Sequence, residues 1–279
     1  MLGTDVCLAM ERAGHEVAAT GIRPGVMLLD ITDVAVVRAV LFQQKPDVVV
    51  HCAAYTNVDG AETNRDDTFR VNALGSWSIA AACEEIGAAV CAISTDYVFD
   101  GRKTEPYTEF DPTGPIGAYG ESKLAGETCI KQACRRYWIV RSSWLYGLHG
   151  KCFPDTILKA AEAGNQLRVV ADQRGCPTFT YDLASALVSL IESSLFGTYH
   201  IVNRGATSWH GFARETLRIA GFDPSVVQPI KTVDWPTPAA RPANSVLKPL
   251  ALEMQGRYSM RPWEDALAEY IEMRKRIGQ

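Results

Sequence analysis

Residues 90–100 read Val-Cys-Ala-Ile-Ser-Thr-Asp-Tyr-Val-Phe-Asp, an apolar run followed at once by polar side chains. Val90 to Ile93 has the character of a strand that is buried on both faces of a parallel sheet. Ser94, Thr95 and Asp96 then place two hydroxyls and a carboxylate just past the end of that run. In open parallel α/β sheets, ligands lie outside the carboxyl ends of the strands. The stretch therefore predicts a buried parallel strand with a polar site at its end.

Segments with helical and strand-like patterns alternate through the chain. Apolar residues spaced three and four apart predict helices, and short apolar runs predict strands. Helices are predicted at 1–14, 32–44, 67–87, 119–136, 153–164, 180–192, 208–221 and 263–277, and strands at 15–20, 48–52, 90–93, 137–141 and 167–170. This alternation predicts right-handed crossovers and an α/β fold with a doubly wound parallel sheet that is covered on both faces.

Tyr119 and Lys123 open an amphipathic helical run that follows a loop rich in Pro and Gly at 101–117. At a spacing of four, both side chains leave the same helix face, one turn apart. A phenol titrates near ~10, and an ammonium held close to it favours the phenolate and lowers that pKa. The spacing predicts a Tyr that acts as a general acid or base. The alternative is a Tyr and a Lys that share a solvated helix face without any chemistry.

Composition and charge restrict the function classes. The 279 residues carry a formal charge of −4 and a pI near 5.8 without a basic block, which argues against a nucleic-acid partner. No apolar run reaches the roughly eighteen residues of a membrane span, and the start lacks a secretory layout, so we expect no membrane partner and a cytoplasmic location. The eight cysteines form no Cys-x-x-Cys pair, and the five histidines are dispersed, so we expect reduced structural thiols and no metal.

The two polar motifs together resemble a known family. A hydroxyl after a buried strand followed by Tyr-x-x-x-Lys at 119–123 resembles the extended short-chain dehydrogenase/reductases. The segment Ser-Thr-Asp-Tyr-Val-Phe-Asp-Gly at 94–101 resembles the corresponding segment of their dTDP-4-dehydrorhamnose reductase branch. Further segments that resemble this branch are 57–62, 71–73, 141–147, 172–178, 197–203 and 241–247. The chain is thus identified as a member of that family, and the resemblance extends over most of its length.

The resemblance implies a fold and a domain organisation. It implies a Rossmann-type dinucleotide-binding domain formed by residues 1–145 and 166–202. A smaller C-terminal α/β lobe, formed by residues 146–165 and 203–279, would bind the nucleotide sugar. The expected partner is a dTDP-sugar, and the expected assembly is a monomer or a homodimer. Some family members hold magnesium with carboxylates, but only Asp5 matches such a ligand here, so no metal is predicted.

The resemblance also implies a reaction and the residues that perform it. The reaction would be NADPH-dependent reduction of the 4-keto group of dTDP-4-dehydrorhamnose to dTDP-L-rhamnose. Tyr119 would protonate the developing alkoxide, Lys123 would lower the Tyr pKa and bond the nicotinamide ribose, and Thr95 would donate to the carbonyl oxygen. The substrate-binding residues implied are Thr95, Asp96, Trp144 and Arg241. Arg241 would pair with the diphosphate as a planar fork. Without the resemblance, Trp144 is interpreted as a core residue.

The resemblance implies a cofactor site in the first part of the chain. Its residues would be Leu2, Gly3, Arg23, Asp30, Ile31, Ala53, Ala54, Tyr55, Thr56, Asn72, Tyr119 and Lys123. Asn72 is expected to be a buried polar anchor and not a catalyst. The turn 20–23 lacks the acidic residue that would repel a 2′-phosphate, and Arg23 can pair with that phosphate. This favours NADPH, with NADH as the alternative, although an Arg in a turn is often only solvated.

The front of the chain departs from the family pattern. Family members begin with a strand and a Gly-x-x-Gly-x-x-Gly turn, whose amides and helix start hold a pyrophosphate. Only the last of these glycines is matched, as Gly3, so the first strand and most of the glycine turn are expected to be absent from this chain. Two explanations are open: a natural start upstream of Met1, or a shortened protein with a damaged cofactor site.

Two other functions remain alternatives. A non-catalytic, nucleotide-sensing regulatory subunit on the same scaffold is favoured by the incomplete glycine turn, but the intact Thr95, Tyr119 and Lys123 argue against it. A nucleotide-sugar epimerase or dehydratase would share the Tyr-x-x-x-Lys motif.

Overall fold

The computed structural model describes residues 1–277. Its α-helices are α1 (Leu2–Arg12), α2 (Val34–Gln44), α3 (Val58–Thr63), α4 (Arg65–Phe69), α5 (Gly75–Ile86), α6 (Ala118–Ala133), α7 (Phe153–Glu162), α8 (Thr180–Ile191), α9 (Trp209–Ala220), α10 (Leu250–Met254) and α11 (Trp263–Ile277). None of these helices is both long and apolar enough to cross a membrane.

The strands are β1 (Thr20–Gly21), β2 (Met27–Leu28), β3 (Val48–His51), β4 (Ala89–Thr95), β5 (Tyr137–Ser142), β6 (Leu145–Tyr146), β7 (Leu167–Val170), β8 (Arg174–Gly175), β9 (Thr178–Phe179), β10 (Gly197–His200), β11 (Thr207–Ser208) and β12 (Val227–Ile230). Helices and strands alternate as the sequence predicts, so the α/β class is confirmed.

The central sheet has four parallel strands in the order β10-β5-β4-β3. β4 is buried along most of its length because Ala, Val and Cys side chains fill both of its faces. It is longer than the predicted strand at both ends: Ser94 pairs with Arg141 and Thr95 with Ser142. The hydroxyls expected just past the strand therefore lie on its last two residues, at the carboxyl edge of the sheet.

Helices cover both faces of this sheet. On one face, α1 and α8 contribute Leu2, Val6, Leu183 and Leu187 to a core with Cys91 and other strand residues. On the other face, α2, α5 and α6 bury a second apolar cluster against the sheet. The sheet is therefore doubly wound, as predicted.

The first strands form a separate parallel pair. β1 pairs with β2, and within residues 1–277 neither is hydrogen-bonded to the four-stranded sheet. The predicted strand at 15–20 was wrong in extent, since only Thr20 and Gly21 are in β conformation. β3 consequently lies at the edge of the central sheet, and its three valines stay partly exposed. That a further strand and glycine turn belong to this region stays a prediction.

The second lobe is built from short strand pairs and helices. β7 pairs with β12, β8 with β11, and β6 with β9. Val169 packs with Leu158, Leu217 and Val227 from α7, α9 and β12. The hydrogen bonds and apolar contacts of β7 thus join it to β12, α7 and α9. The predicted domain division stays a prediction.

The long helix predicted at 67–87 is interrupted. α4 ends at Phe69, a π-helical turn occupies Arg70–Leu74, and α5 follows. π turns inside helices are frequently found at functional sites. Here the turn crosses α6 so closely that a Cβ added to Gly126 would lie 2.3 Å from the carbonyl oxygen of Asn72. Gly at position 126 is thus required for α6 to approach this turn.

Gly126→Ala is expected to destabilise the protein by about 1–3 kcal/mol, because the added methyl would displace backbone and not a flexible side chain. The matched control is Gly114→Ala, whose Cβ would lie at an ordinary 3.7 Å from the Cβ of Asp100. Thermal unfolding of both variants decides the matter. Equal melting temperatures for the two would show that the close approach is not required.

Candidate active site

The side chains of Tyr119 and Lys123 lie on the first two turns of α6. The helix begins after Gly117, which offers no side-chain cap, and the carboxylate of Glu62 accepts from the amide of Ala118 at 2.9 Å. The positive end of the helix dipole also stabilises a carboxylate at this position. A charge from α3 therefore fixes the start of the helix that carries the predicted pair.

Lys123 is 8% exposed and donates to the backbone carbonyl of Ile93 on β4 at 2.8 Å. Burial lowers the pKa of its ammonium to about 8, and the nearby Glu127 opposes that shift. Lys123 thus anchors α6 to the strand that ends in Thr95. The predicted pair is accordingly brought to the carboxyl edge of the sheet and is not a solvated pair on an open helix face.

The pKa of Tyr119 differs from the sequence-based expectation. Burial raises it to about 12, the nearby hydroxyl of Thr95 acts to lower it, and the carboxylate of Asp96 acts to raise it. Desolvation outweighs the other contributions, so the expected net lowering of this pKa is not found, while the effect expected of Lys123 itself stays a prediction. A phenol with this pKa holds its proton at neutral pH and is therefore present as the acid.

Thr95 and Asp96 form a buried, hydrogen-bonded polar pair beside Tyr119. The Thr95 hydroxyl donates to Asp96 Oδ1 at 2.9 Å, and the amide of Tyr97 donates to the same hydroxyl at 3.2 Å. Asp96 is 2% exposed, and its Oδ2 atom has no hydrogen-bond partner within the described residues. Desolvation raises the pKa of Asp96 to about 6. An unpaired buried carboxylate oxygen next to the predicted catalytic hydroxyls is typical of a binding site.

Tyr97 is a site residue that sequence reasoning did not single out. Its ring packs edge-on against the ring of Tyr119, with 5.5 Å between centroids. Burial raises its pKa, and Asp96, Asp59 and Arg241 also act on its hydroxyl. Its place in the motif at 94–101 was the available signal.

Asn72 joins two parts of the site. Its Oδ1 accepts from the amide of Tyr55 at 2.8 Å, and its Nδ2 donates to the carbonyl of Tyr55 and to Ser122 Oγ at 2.9 Å. Ser122 in turn donates to the backbone carbonyl of Tyr119 at 2.7 Å. Asn72 is 1% exposed. The expected buried anchor is therefore found in the π turn, and it ties the loop after β3 to the start of α6.

The loop after β3 carries the predicted cofactor residues Ala53, Ala54, Tyr55 and Thr56. Ala53 and Thr56 are exposed, and Ala54 and Tyr55 are partly buried. Small side chains at a strand end allow a ligand to approach the backbone closely. The geometry therefore leaves this loop accessible next to Asn72.

The first turn of α1 lies beside this loop. Met1 caps the helix without a side-chain hydrogen bond, so the amides of Leu2 and Gly3 have no partner within the helix. A Cβ on Gly3 would lie 3.8 Å from the Cβ of Cys52. The Leu2 side chain is buried in the core, so only its backbone can face a ligand. Helix N-termini favour anions.

The remaining predicted cofactor residues lie between β1 and β2 or directly after β2. Arg23 is exposed in the turn between these strands. Asp30 accepts from the amide and hydroxyl of Thr32, and these bonds lower its pKa. Ile31 is buried against Gly75 at the start of α5. Ile31 thus contributes packing, while Arg23 and Asp30 remain open to solvent.

Trp144 has an unusual backbone conformation, with φ of 48°. A bulky residue in this left-handed region is a genuine outlier, and such strain is concentrated at functional sites. Its ring stacks on Trp209 with centroids 3.7 Å apart, and it covers Gly175 so closely that a Cβ there would lie 2.4 Å from the indole. Trp144 is only partly buried. The side chain thus packs against Trp209 and Gly175, and part of it stays accessible to solvent.

Arg241 does not stand free in the structure. Its Nη2 donates to Asp59 Oδ2 at 2.9 Å, and its Nη1 donates to the carbonyl of Ala239 at 2.9 Å. Asp59 also accepts from the amide of Ala239 at 3.1 Å. The guanidinium predicted to meet a diphosphate is therefore paired with a carboxylate of α3. Such an ion pair between segments 182 residues apart was beyond sequence reasoning.

Asp5, the residue considered as a metal ligand, is buried and accepts from the Thr180 hydroxyl. His149 lies 3.5 Å from its other oxygen. Across residues 1–277, no three His, Cys, Asp or Glu side chains are grouped so as to hold a metal ion. Asp5 thus serves to join α1 to α8.

Comparison with known proteins places the chain among described relatives. The family described as RmlD substrate binding domain matches residues 1–276. The spore coat polysaccharide biosynthesis protein SpsK of Bacillus subtilis (strain 168) is 39% identical over 273 residues, 98% of this chain and 94% of that protein. A dTDP-4-dehydrorhamnose reductase of Streptomyces griseus is 40% identical over 96% of this chain and 89% of its own length. The crystal structure of dTDP-4-dehydrorhamnose reductase from Bacillus anthracis in complex with NADP matches with a TM-score of 0.92 at 38% identity, over 98% of this chain and 95% of that one.

Asp96→Asn is expected to raise the melting temperature at pH 7 and to have little effect at pH 4. Because folding raises this pKa to about 6, the folded protein binds a proton that the unfolded chain has lost, so stability falls as the pH rises from about 4 to about 6. The ionised carboxylate then costs about 2–3 kcal/mol at neutral pH.

The matched control is Asp111→Asn, and thermal unfolding at both pH values is the measurement. Asp111 pairs with Lys103 at 2.8 Å and accepts from Thr108, which lowers its pKa to about 2. Its contribution is therefore present at pH 7 and lost in acid, so this variant should be less stable at pH 7. An Asp96→Asn protein that is no more stable than the parent at pH 7 would show that burial of the ionised Asp96 carboxylate does not destabilise the fold.

Proposed function

The chain belongs to the RmlD substrate binding domain family, and on that premise we propose that it reduces dTDP-4-dehydrorhamnose to dTDP-L-rhamnose with NADPH. Relatives named dTDP-4-dehydrorhamnose reductases are about 40% identical over most of the chain, and one was solved with NADP. The observation that carries the proposal is the meeting of Thr95, Tyr119 and Lys123 at the carboxyl edge of the central sheet.

The residues present fit a dinucleotide. Unpaired amides at the start of α1 suit a pyrophosphate, the small Ala53 and Ala54 leave room for close approach, and the buried ammonium of Lys123 suits a ribose hydroxyl. Arg23 is free to reach a 2′-phosphate, which favours NADPH over NADH. When bound, NADPH would supply the hydride that reduces the carbonyl carbon.

Tyr119 is assigned the role of proton donor in the reduction. As the carbonyl carbon is reduced, the π electrons of the C=O bond move to oxygen, and the phenol of Tyr119 gives that oxygen its proton. Its pKa of about 12 keeps the proton in place at neutral pH until the developing alkoxide, which is the stronger base, takes it. The hydroxyl of Thr95, which donates to Asp96 in this structure, would turn its single proton to the same oxygen and stabilise the charge as it grows.

Lys123 is assigned two tasks. Its ammonium holds the ribose, and its positive charge stabilises the phenolate that remains on Tyr119 after proton transfer. An ammonium has three donors, so Lys123 can keep its bond to Ile93 while it contacts a ligand.

The nucleotide sugar is assigned to the carboxyl edge of the sheet near Asp96. Asp96 offers an unpaired oxygen, Trp144 offers the part of its indole that stays accessible to solvent, and Arg241 offers a guanidinium that a diphosphate can take from Asp59. The proposal includes a cytoplasmic location and a monomeric or homodimeric enzyme. Relatives named reductases favour this function over the regulatory subunit and the epimerase or dehydratase considered above.

Tyr119→Phe is expected to lower kcat by about 10²–10⁴-fold and to leave NADPH binding nearly unchanged, because only the proton donor is lost. The assay follows NADPH absorbance with dTDP-4-dehydrorhamnose as substrate. Tyr137→Phe, at the opposite end of the neighbouring strand β5, is the control and should keep full activity. Turnover by Tyr119→Phe at the parental rate would remove Tyr119 from this role.

Arg23→Ala is expected to raise KM for NADPH about 10-fold, because a charge-assisted bond to the 2′-phosphate is lost, and to leave KM for NADH unchanged. Arg168→Ala, an exposed Arg on β7 in the small lobe, is the control. Equal changes for both nucleotides would show that Arg23 does not read the 2′-phosphate.

A further inference from the structure

A buried ion pair lies below the predicted catalytic residues. Glu127 on α6 and Arg141 on β5 are 2% and 4% exposed, and they form a two-point pair with distances of 2.9 and 2.7 Å. The hydroxyl of Ser94 donates to Glu127 Oε1 at 2.6 Å. The distances and the burial give this carboxylate a fixed position. Neither the sequence motifs nor the roles assigned above include Glu127.

Glu127 continues the face of α6 that carries the reaction. Tyr119, Lys123 and Glu127 follow one another at intervals of four, so they lie along one stripe of the helix. This stripe is joined to β4 at two successive residues, since Lys123 contacts Ile93 and Glu127 contacts Ser94. Ser94 directly precedes Thr95. The two contacts therefore set the position of the Thr95 hydroxyl relative to the Tyr119 phenol.

The charges around Lys123 give Glu127 a second effect. The ionisable groups that interact with the ammonium are His51 on β3, Cys52 in the loop after it, and Glu127 on α6. Burial holds the pKa of His51 near 3 and that of Cys52 near 12, so both are neutral at physiological pH. Tyr119 is neutral as well. Of these groups, Glu127 alone brings a negative charge to the buried ammonium.

We propose that Glu127 is a positioning residue for the reduction: its carboxylate, held by Arg141 and Ser94, stabilises the ammonium of Lys123 and fixes Thr95 against Tyr119. This inference rests on the proposed function for its catalytic meaning. It concerns only residues of this chain, so its electrostatic part is testable without a turnover assay.

Arg141 holds the carboxylate in a fixed orientation. Its guanidinium lies over the ring of Phe99 at 5.1 Å, and its backbone pairs with both Ser94 and His200. Lys131 also lies 3.9 Å from Glu127, at an exposed position. A Lys in place of Arg141 would supply the charge without the two-point geometry. A purely structural ion pair is the alternative, and it would affect stability without affecting Lys123.

The first test is Glu127→Gln, which keeps the shape and an oxygen for Ser94 but removes the charge. Loss of the carboxylate should lower the pKa of Lys123 by about one to two units from its value of about 8. We expect kcat to fall at alkaline pH as Lys123 loses its proton, and in this variant that fall should move to lower pH by the same amount. Lysine side-chain carbon NMR, assigned with Lys123→Met, measures the pKa directly.

A second variant guards against loss of folding, because Glu127→Gln leaves Arg141 buried without its partner. Glu127→Gln/Arg141→Met removes both charges and should fold more stably than the single variant, yet still show Lys123 titrating at lower pH than the parent. Glu127→Asp keeps the charge, so the pKa of Lys123 in this variant should stay close to its parental value. Glu121→Gln is the control, since Glu121 pairs with Arg65 at the surface of the same helix.

The outcomes separate the two proposals. A Lys123 titration that stays at the parental pH in both Glu127 variants, with only the melting temperature lowered, would overturn the positioning role. A parent protein that turns over no dTDP-keto-sugar would contradict the proposed function, while the lysine titration would still decide whether Glu127 acts on Lys123.

Discussion

The burial of one ammonium governs the arrangement of this site. Lys123 donates to the carbonyl of Ile93 from a position that is almost closed to solvent. A buried charge costs several kcal/mol unless it is hydrogen-bonded and compensated by an opposite charge. The carbonyl of Ile93 supplies the hydrogen bond. Glu127, one turn further along α6, supplies the opposite charge. The chain thus holds a cation in the place where a reduced ketone and a phenolate would require one.

The same constraint explains the neighbouring structure. α6 must lie close to β4, and it does so because Gly126 permits contact with the π turn at Arg70–Leu74. Within that turn, Asn72 bonds both the loop after β3 and Ser122 of α6. Desolvation at this junction keeps the Tyr119 proton in place, which suits an acid in a reduction. Helix packing, burial and proton donation are therefore consequences of one close approach.

Local pattern predicted the parts of the site that are set locally. The strand predicted at 90–93, which the structure extends to Thr95, and the shared helix face of Tyr119 and Lys123 depend on local sequence pattern, and Asn72 was expected as a buried anchor from its motif. The direction of the Tyr119 pKa shift was not predicted, because it depends on desolvation, which the fold supplies. The partners of Glu127 and Arg241 come from other elements, so no spacing rule reveals them. The pairing of β7 with β12 likewise joins segments sixty residues apart.

In the proposed reaction, Tyr119 donates its proton to a nucleotide-linked ketone at the edge of the central sheet. A crystal structure with NADP and dTDP-L-rhamnose bound would show whether it can. We expect the Tyr119 hydroxyl at hydrogen-bond distance, ~2.6–3.2 Å, from the O4 atom of the sugar, with the Thr95 hydroxyl on the same oxygen. A sugar O4 bonded to other groups, with the Tyr119 hydroxyl directed away from it, would contradict the claim.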